Sequence, residues 1–206
     1  MADKTIFDYW LYLPDDLDAN ESLPLVLFLH GAGERGPDIE RVKANGYPKL
    51  FSKSPRNERV IILAPQCQPD RIWNTQVYPL MELVDYVAEK YHADKEKISC
   101  TGLSMGGYGT WMMGLTFPKR FSCIAPVCGG GITWMAGALK NTPVRAFHGT
   151  ADSVVPCYES QNMVDAINKN GGNADITLYE GVGHDSWVNA YEKSDLLQWL
   201  MSCRIS

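Results

Sequence analysis

Short apolar runs recur along this chain. Each has strand length, several end in glycine-rich loops, and helical patterns separate them. Residues 25–29 (LVLFL) and 60–64 (VIILA) are continuous apolar stretches, the mark of strands buried on both faces. The same reasoning predicts strands at 5–13, 97–103, 121–128, 144–148 and 176–179. Residues 78–92 instead carry Leu80, Leu83, Val84, Val87 and Tyr91 at helical spacing. Further helices are predicted at 104–117, ended by Pro118, at 158–170, closed by Gly171 and Gly172, and at 186–203. Residues 14–24, with proline at both ends, read as a loop. Strand and helix alternate with no repeat or linker between them. This pattern predicts one α/β domain over residues 1–206, a mostly parallel sheet with helices on both faces. In such sheets chemistry gathers beyond the carboxyl ends of the strands.

Composition narrows the function classes. With 206 residues, 45% of them hydrophobic and 21% charged, the chain is neither a disordered tail nor a coiled coil. A net charge of −5 argues against a nucleic-acid partner. No stretch reaches the roughly 18 apolar residues of a membrane span. The start, MADKTIFDYW, lacks the basic and apolar regions of a signal peptide, so a cytoplasmic location is expected, although a processed start would read the same. The six cysteines are scattered without a CxxC pair. They are expected to be mostly reduced core thiols, with no metal site.

Residues 102–106 (GLSMG) match G-x-S-x-G between a predicted strand and a predicted helix, the context a nucleophile elbow needs. The turn lifts Ser104 to the sheet edge at a helix N-terminus, where free N–H groups favour developing negative charge. A serine hydroxyl needs a base to become a nucleophile. His184 follows the last predicted strand in a glycine-flanked loop, and Asp152 follows the preceding strand. The chain order Ser104, Asp152, His184 is that of α/β-hydrolases rather than of other serine-triad folds. Ser104 is then the nucleophile, His184 the base, and Asp152 the group that orients the imidazole. Asp185, Asp70 and Glu180 are weaker candidates for the acid. His30 is read as structural beneath the 30–36 loop, His148 as shaping the Asp152 turn, and His92 as solvated. The backbone N–H groups of Ala32 and Met105 are the candidate oxyanion donors. Trp73, Trp134 and Trp187 are candidates to line a substrate pocket, with local packing as the alternative. Arg35 is read as a solvated loop residue that could meet an anionic substrate group.

Four motifs carry a family resemblance: residues 30–36 (HGAGERG), 102–107 (GLSMGG), 148–152 (HGTAD) with Val155 and Pro156, and 183–187 (GHDSW). Together the chain resembles the α/β-hydrolase superfamily, specifically the small lid-less esterases of the dienelactone hydrolase and phospholipase/carboxylesterase groups. Pro65, Gln66 and Cys67 with Trp73 resemble a subgroup of feruloyl-type esterases and peptidases. The resemblance implies hydrolysis of a small-molecule carboxylic ester through an acyl-enzyme, without cofactor or metal. The nucleophile is serine where dienelactone hydrolase has cysteine, which favours esterase chemistry. Residues 132–143 are too few to build a cap domain, so an open site is expected. The expected activity is on short acyl or aryl esters, feruloyl and acetyl groups included. An acyl thioesterase, a peptidase on the same three residues and a non-catalytic binding module are the alternatives. Oligomeric state stays open.

Overall fold

The computed structural model describes residues 7–18, 21–53 and 56–205. Seven strands, β1 (Tyr9–Tyr12), β2 (Leu25–Leu29), β3 (Ile61–Pro65), β4 (Ile98–Leu103), β5 (Cys123–Val127), β6 (Val144–Gly149) and β7 (Ala174–Tyr179), form one sheet. Their order is β1-β3-β2-β4-β5-β6-β7. Only β1 runs antiparallel to its neighbour; every other pairing is parallel. The apolar runs explain the centre. β2, β3, β4 and β5 are buried along their whole length, as strands covered on both faces must be. β7 is an edge strand, with Asp175 and Thr177 exposed. Polar residues there discourage pairing with another chain.

Six helices cover the sheet: α1 (Gly46–Lys53), α2 (Val77–Lys90), α3 (Met105–Thr116), α4 (Tyr158–Lys169), α5 (Trp187–Glu192) and α6 (Leu196–Ser202). The period-two alternation of strand side chains divides the core into two layers. Leu25, Leu27 and Leu29 of β2 pack on one side with Leu80 and Val84 of α2, Trp111 of α3 and Met163 of α4. Val26 and Phe28 pack on the other with Tyr47 and Phe51 of α1, Tyr191 of α5 and Leu196 and Leu200 of α6.

Three differences from the sequence reading have local causes. The helix predicted at 186–203 is two helices. The Ser194 hydroxyl donates to the Ala190 carbonyl at 2.6 Å and accepts the Leu196 N–H at 3.1 Å, ending one helix and starting the next. Helix α1 was not predicted, because its apolar face rests on little more than Tyr47 and Phe51, four residues apart, with Pro48 in the first turn. The strand predicted at 5–13 is observed over Tyr9–Tyr12, and residues 5 and 6 lie outside the described residues. Between β5 and β6, residues 132–143 hold a short 3-10 segment, Thr133–Leu139, and no inserted domain.

Candidate active site

The end of β4 sets the site. Ser104 sits between β4 and α3 at φ 54° and ψ −115°, a region a side chain with Cβ rarely occupies. Its N–H donates to the Val127 carbonyl and its carbonyl accepts from Tyr108 N–H, both at 3.0 Å, which holds the strained turn. Gly102 and Gly106 are required by close approach. A Cβ on Gly102 would stand 2.6 Å from the Leu29 carbonyl oxygen, and one on Gly106 would collide with that same oxygen. The start of α3 therefore packs directly on the end of β2.

The structure brings Ser104, His184 and Asp152 together from three loops. His184 Nε2 lies 2.9 Å from Ser104 Oγ, and its Nδ1 lies 2.7 Å from Asp152 Oδ2. An ionised carboxylate only accepts, so Nδ1 carries the proton and Nε2 faces the serine hydroxyl as an acceptor. Asp152 Oδ1 accepts the N–H groups of Val154 and Val155, each at 2.9 Å. Burial raises the Asp152 pKa. Hydrogen bonds from His184, Val155 and Val154 outweigh it and hold the carboxyl below the ordinary carboxylate value. Asp185, Asp70 and Glu180, the other acid candidates, are exposed.

The loop after β2 is braced from several sides. Arg41 donates to the Arg35 and Gly33 carbonyls, both at 2.6 Å. Gln66 Nε2 donates to the Glu34 carbonyl at 2.6 Å and the Gly36 carbonyl at 3.0 Å. His30 accepts the Cys67 N–H at Nε2, 3.0 Å, and faces the Gly31 carbonyl with Nδ1 at 2.7 Å. One nitrogen must accept and the other donate, which is the neutral ring. Burial lowers the His30 pKa in the same sense. The loop packs against the residue before the serine, since a Cβ on Gly31 would stand 2.9 Å from Leu103 Cδ1. Ala32 opens a 3-10 turn and Met105 opens α3. As first residues of their helical turns, neither N–H has a helix carbonyl to bond. Arg35 donates to the Ala32 carbonyl at 3.1 Å and the Arg71 carbonyl at 3.3 Å, a bracing role beyond its solvated reading.

The matching family model, described as phospholipase/carboxylesterase, covers residues 64–197. The chain belongs to that family. A bifunctional acetylxylan esterase/xylanase of Neocallimastix patriciarum is 24% identical over 159 residues, covering 72% of this chain and 22% of that protein. A probable feruloyl esterase C of Aspergillus niger is 25% identical over 170 residues, covering 80% of this chain and 62% of that protein. This chain thus spans less than two thirds of either. A thermostable esterase crystal structure superposes with a TM-score of 0.81 and 33% identity, over 95% of this chain and 59% of that one.

The three tryptophans of this family member have different places. Trp73 has no exposed surface and donates to the His30 carbonyl at 2.9 Å, with its ring 5.0 Å from the His30 ring. It packs beneath the 30–36 loop, so its expected place in a pocket lining is corrected. Trp134 is 84% exposed on the 3-10 segment before β6. Trp187 is half-buried and stands edge-on to His184, ring centroids 5.4 Å apart. Its Nε1 donates to Asn45 Oδ1 at 3.2 Å, and Asn45 Nδ2 donates to Glu34 Oε1 at 2.8 Å. This bridge between the His184 loop and the 30–36 loop was not anticipated. Its middle member lies in a stretch with no apolar pattern or motif. Among the described residues no group of three or more His, Cys, Asp or Glu is placed to hold a metal ion. No helix of the described residues is long and apolar enough to cross a membrane.

Proposed function

We propose that this protein is a serine carboxylesterase that hydrolyses short-chain acyl or aryl esters through an acyl-enzyme on Ser104. The observation that carries this reading is the unbroken hydrogen-bonded row from Ser104 Oγ through His184 to Asp152, at 2.9 and 2.7 Å. Ser104 attacks the ester carbonyl as His184 Nε2 takes its proton. The imidazolium returns that proton to the leaving alcohol. Water then attacks the acyl-enzyme by the same steps in reverse. Asp152 keeps the proton on Nδ1 and stabilises the cation. The N–H groups of Ala32 and Met105 receive the negative oxygen of the tetrahedral intermediate, a contribution of about 3 kcal/mol per donor in sites of this kind. Among the described residues the segment between β5 and β6 is too short to cap the site, which favours small or end-exposed acyl groups. The names of the acetylxylan and feruloyl esterase relatives support acetyl and feruloyl esters as the first to try.

Initial rates on p-nitrophenyl acetate, butyrate, octanoate and palmitate, and on methyl ferulate, test the proposal with Ser104→Ala as control. A preference for acetate or butyrate, lost in the variant, is expected. Turnover that survives in Ser104→Ala, or that favours palmitate, overturns it.

A further inference from the structure

His148 lies on β6, four residues before Asp152, and is fully buried. Both of its ring nitrogens face polar atoms. Nε2 is 2.9 Å from the Val155 carbonyl oxygen and 3.2 Å from Asp152 Oδ2. Each of those oxygens only accepts, so Nε2 carries a proton. Nδ1 is 2.8 Å from Ser160 Oγ, and that oxygen is 2.7 Å from the Gly129 carbonyl oxygen. Ser160 has one hydroxyl hydrogen, and the Gly129 carbonyl can only receive it. The Ser160 oxygen therefore meets Nδ1 with a lone pair, and Nδ1 must donate as well. The opposite assignment sends the Ser160 hydrogen to Nδ1. It leaves two buried oxygens 2.7 Å apart with no hydrogen between them, an unpaired contact that burial penalises.

We propose that His148 carries a proton on each ring nitrogen and is a second, cationic partner of Asp152, a positioning residue that tunes how firmly His184 holds a proton. The proposal rests on the triad reading above. The carboxylate is arranged for two such partners. Oδ1 takes the N–H groups of Val154 and Val155, Oδ2 takes His184 Nδ1–H, and the His148 ring stands beside Oδ2 with Nε2 3.2 Å away. The His148 and Asp152 side chains are both wholly enclosed, and a buried charge persists where it is paired and bonded on every side. Other ionisable groups are close to this pair. Tyr108 of α3 responds to Glu159 of α4 and to Asp152. The Cys128 thiol at the end of β5 also responds to Asp152, and burial pushes it up to about 12, so it stays neutral. From β7, the neighbour in register is the apolar Leu178. Glu159 adds negative charge on the Ser160 side. The consequence is functional. With His148 countering the Asp152 charge, His184 gives up its proton more easily and stays available as a base at lower pH.

Nuclear magnetic resonance of the protein labelled with ¹⁵N-histidine counts these protons directly. The chain has four histidines, and His148 is identified by its contacts to Ser160 and Leu178. Proton-bearing shifts on both His148 ring nitrogens at pH 7 are expected. A bare Nδ1 overturns the proposal, whatever the enzyme's activity. The second readout is the kcat/KM profile of His148→Gln, which keeps an N–H donor but cannot be cationic. Its acid limb should move up by about one pH unit, the size of effect a nearby charge has on an imidazole. An unmoved limb in folded variant protein overturns the tuning role. Loss of the triad reading would appear instead as Ser104-independent turnover, with the proton count unaffected.

Discussion

Two buried histidines flank Ser104, and they hold different things. His30, after β2, bonds only backbone, accepting Cys67 N–H and facing the Gly31 carbonyl. His148, at the end of β6, bonds a hydroxyl and a carbonyl and stands 3.2 Å from a carboxylate oxygen. The first fixes the path of a loop whose useful groups are main-chain N–H donors. The second fixes a turn whose useful group is a charge. A loop that presents backbone can be braced by a neutral ring, and a turn that presents a carboxylate is served by N–H donors on all sides.

The largest effect should come from the charge side. Asp152→Asn keeps the shape but puts an amide where His184 Nδ1–H needs an acceptor. The imidazole then turns to the wrong tautomer. A kcat loss on the order of 10⁴-fold is expected, as for triads of this kind, with the fold retained by circular dichroism. A loss under tenfold would mean that Asp152 does not orient the base.

The backbone side should answer in stability first. His30→Ala removes two buried hydrogen bonds and the ring against Trp73, and a loss of about 2–4 kcal/mol by urea unfolding is expected. The pH dependence sharpens the contrast. Burial lowers the folded-state pKa of His30 below its ordinary value of 6.5. The unfolded chain therefore takes up the proton first. The stability this neutral ring supports is present above about 6.5 and is lost as pH falls from there through the lower folded value. Asp152 is also held below its ordinary value of 3.8, so its contribution is present above that pH and lost further into acid. Between pH 7 and 5 the wild type should lose more unfolding free energy, or gain less, than His30→Gln. Equal slopes would break the assignment of that window to His30.

Trp73→Phe tests whether the 30–36 loop depends on its floor. The substitution removes the donor to the His30 carbonyl and some buried area. A destabilisation of about 1–2 kcal/mol is expected, with KM for p-nitrophenyl acetate nearly unchanged because the ring is wholly buried. A large KM rise with unaltered stability would return Trp73 to the substrate.

The sequence is most legible where local chemistry and chain order coincide. The turn at Ser104 is legible because so sharp a turn needs small residues on both sides, and Gly102 and Gly106 are packed against Leu29 for that reason. Asp152 and His184 are legible because each follows a strand, and parallel strands deliver their ends to one edge. Trp73 stays open between pocket and local packing in the sequence because a sequence shows that a tryptophan neighbours a loop but not which side of the loop it occupies. Asn45, Gln66 and Ser160 were passed over for a related reason. Their roles are hydrogen bonds to partners 11 to 142 residues away, and a polar residue in a loop or on a helix carries no periodic signal of its partner.

The smallest effect should come from the link between the two sides. Trp187 stands edge-on to His184 and donates to Asn45, which in turn donates to Glu34 beside the candidate oxyanion turn. Trp187→Phe keeps a ring against the imidazole and removes only the N–H. A single net hydrogen bond is worth about 1 kcal/mol, so kcat/KM should fall about two- to fivefold. Asn45→Ala breaks the same link from its middle. If the bridge couples the loops, the double variant should lose no more than the worse single one, because either change already severs it. Fully multiplicative losses would mean that Trp187 and Asn45 act separately, and that the two loops are held in place by their own strands alone.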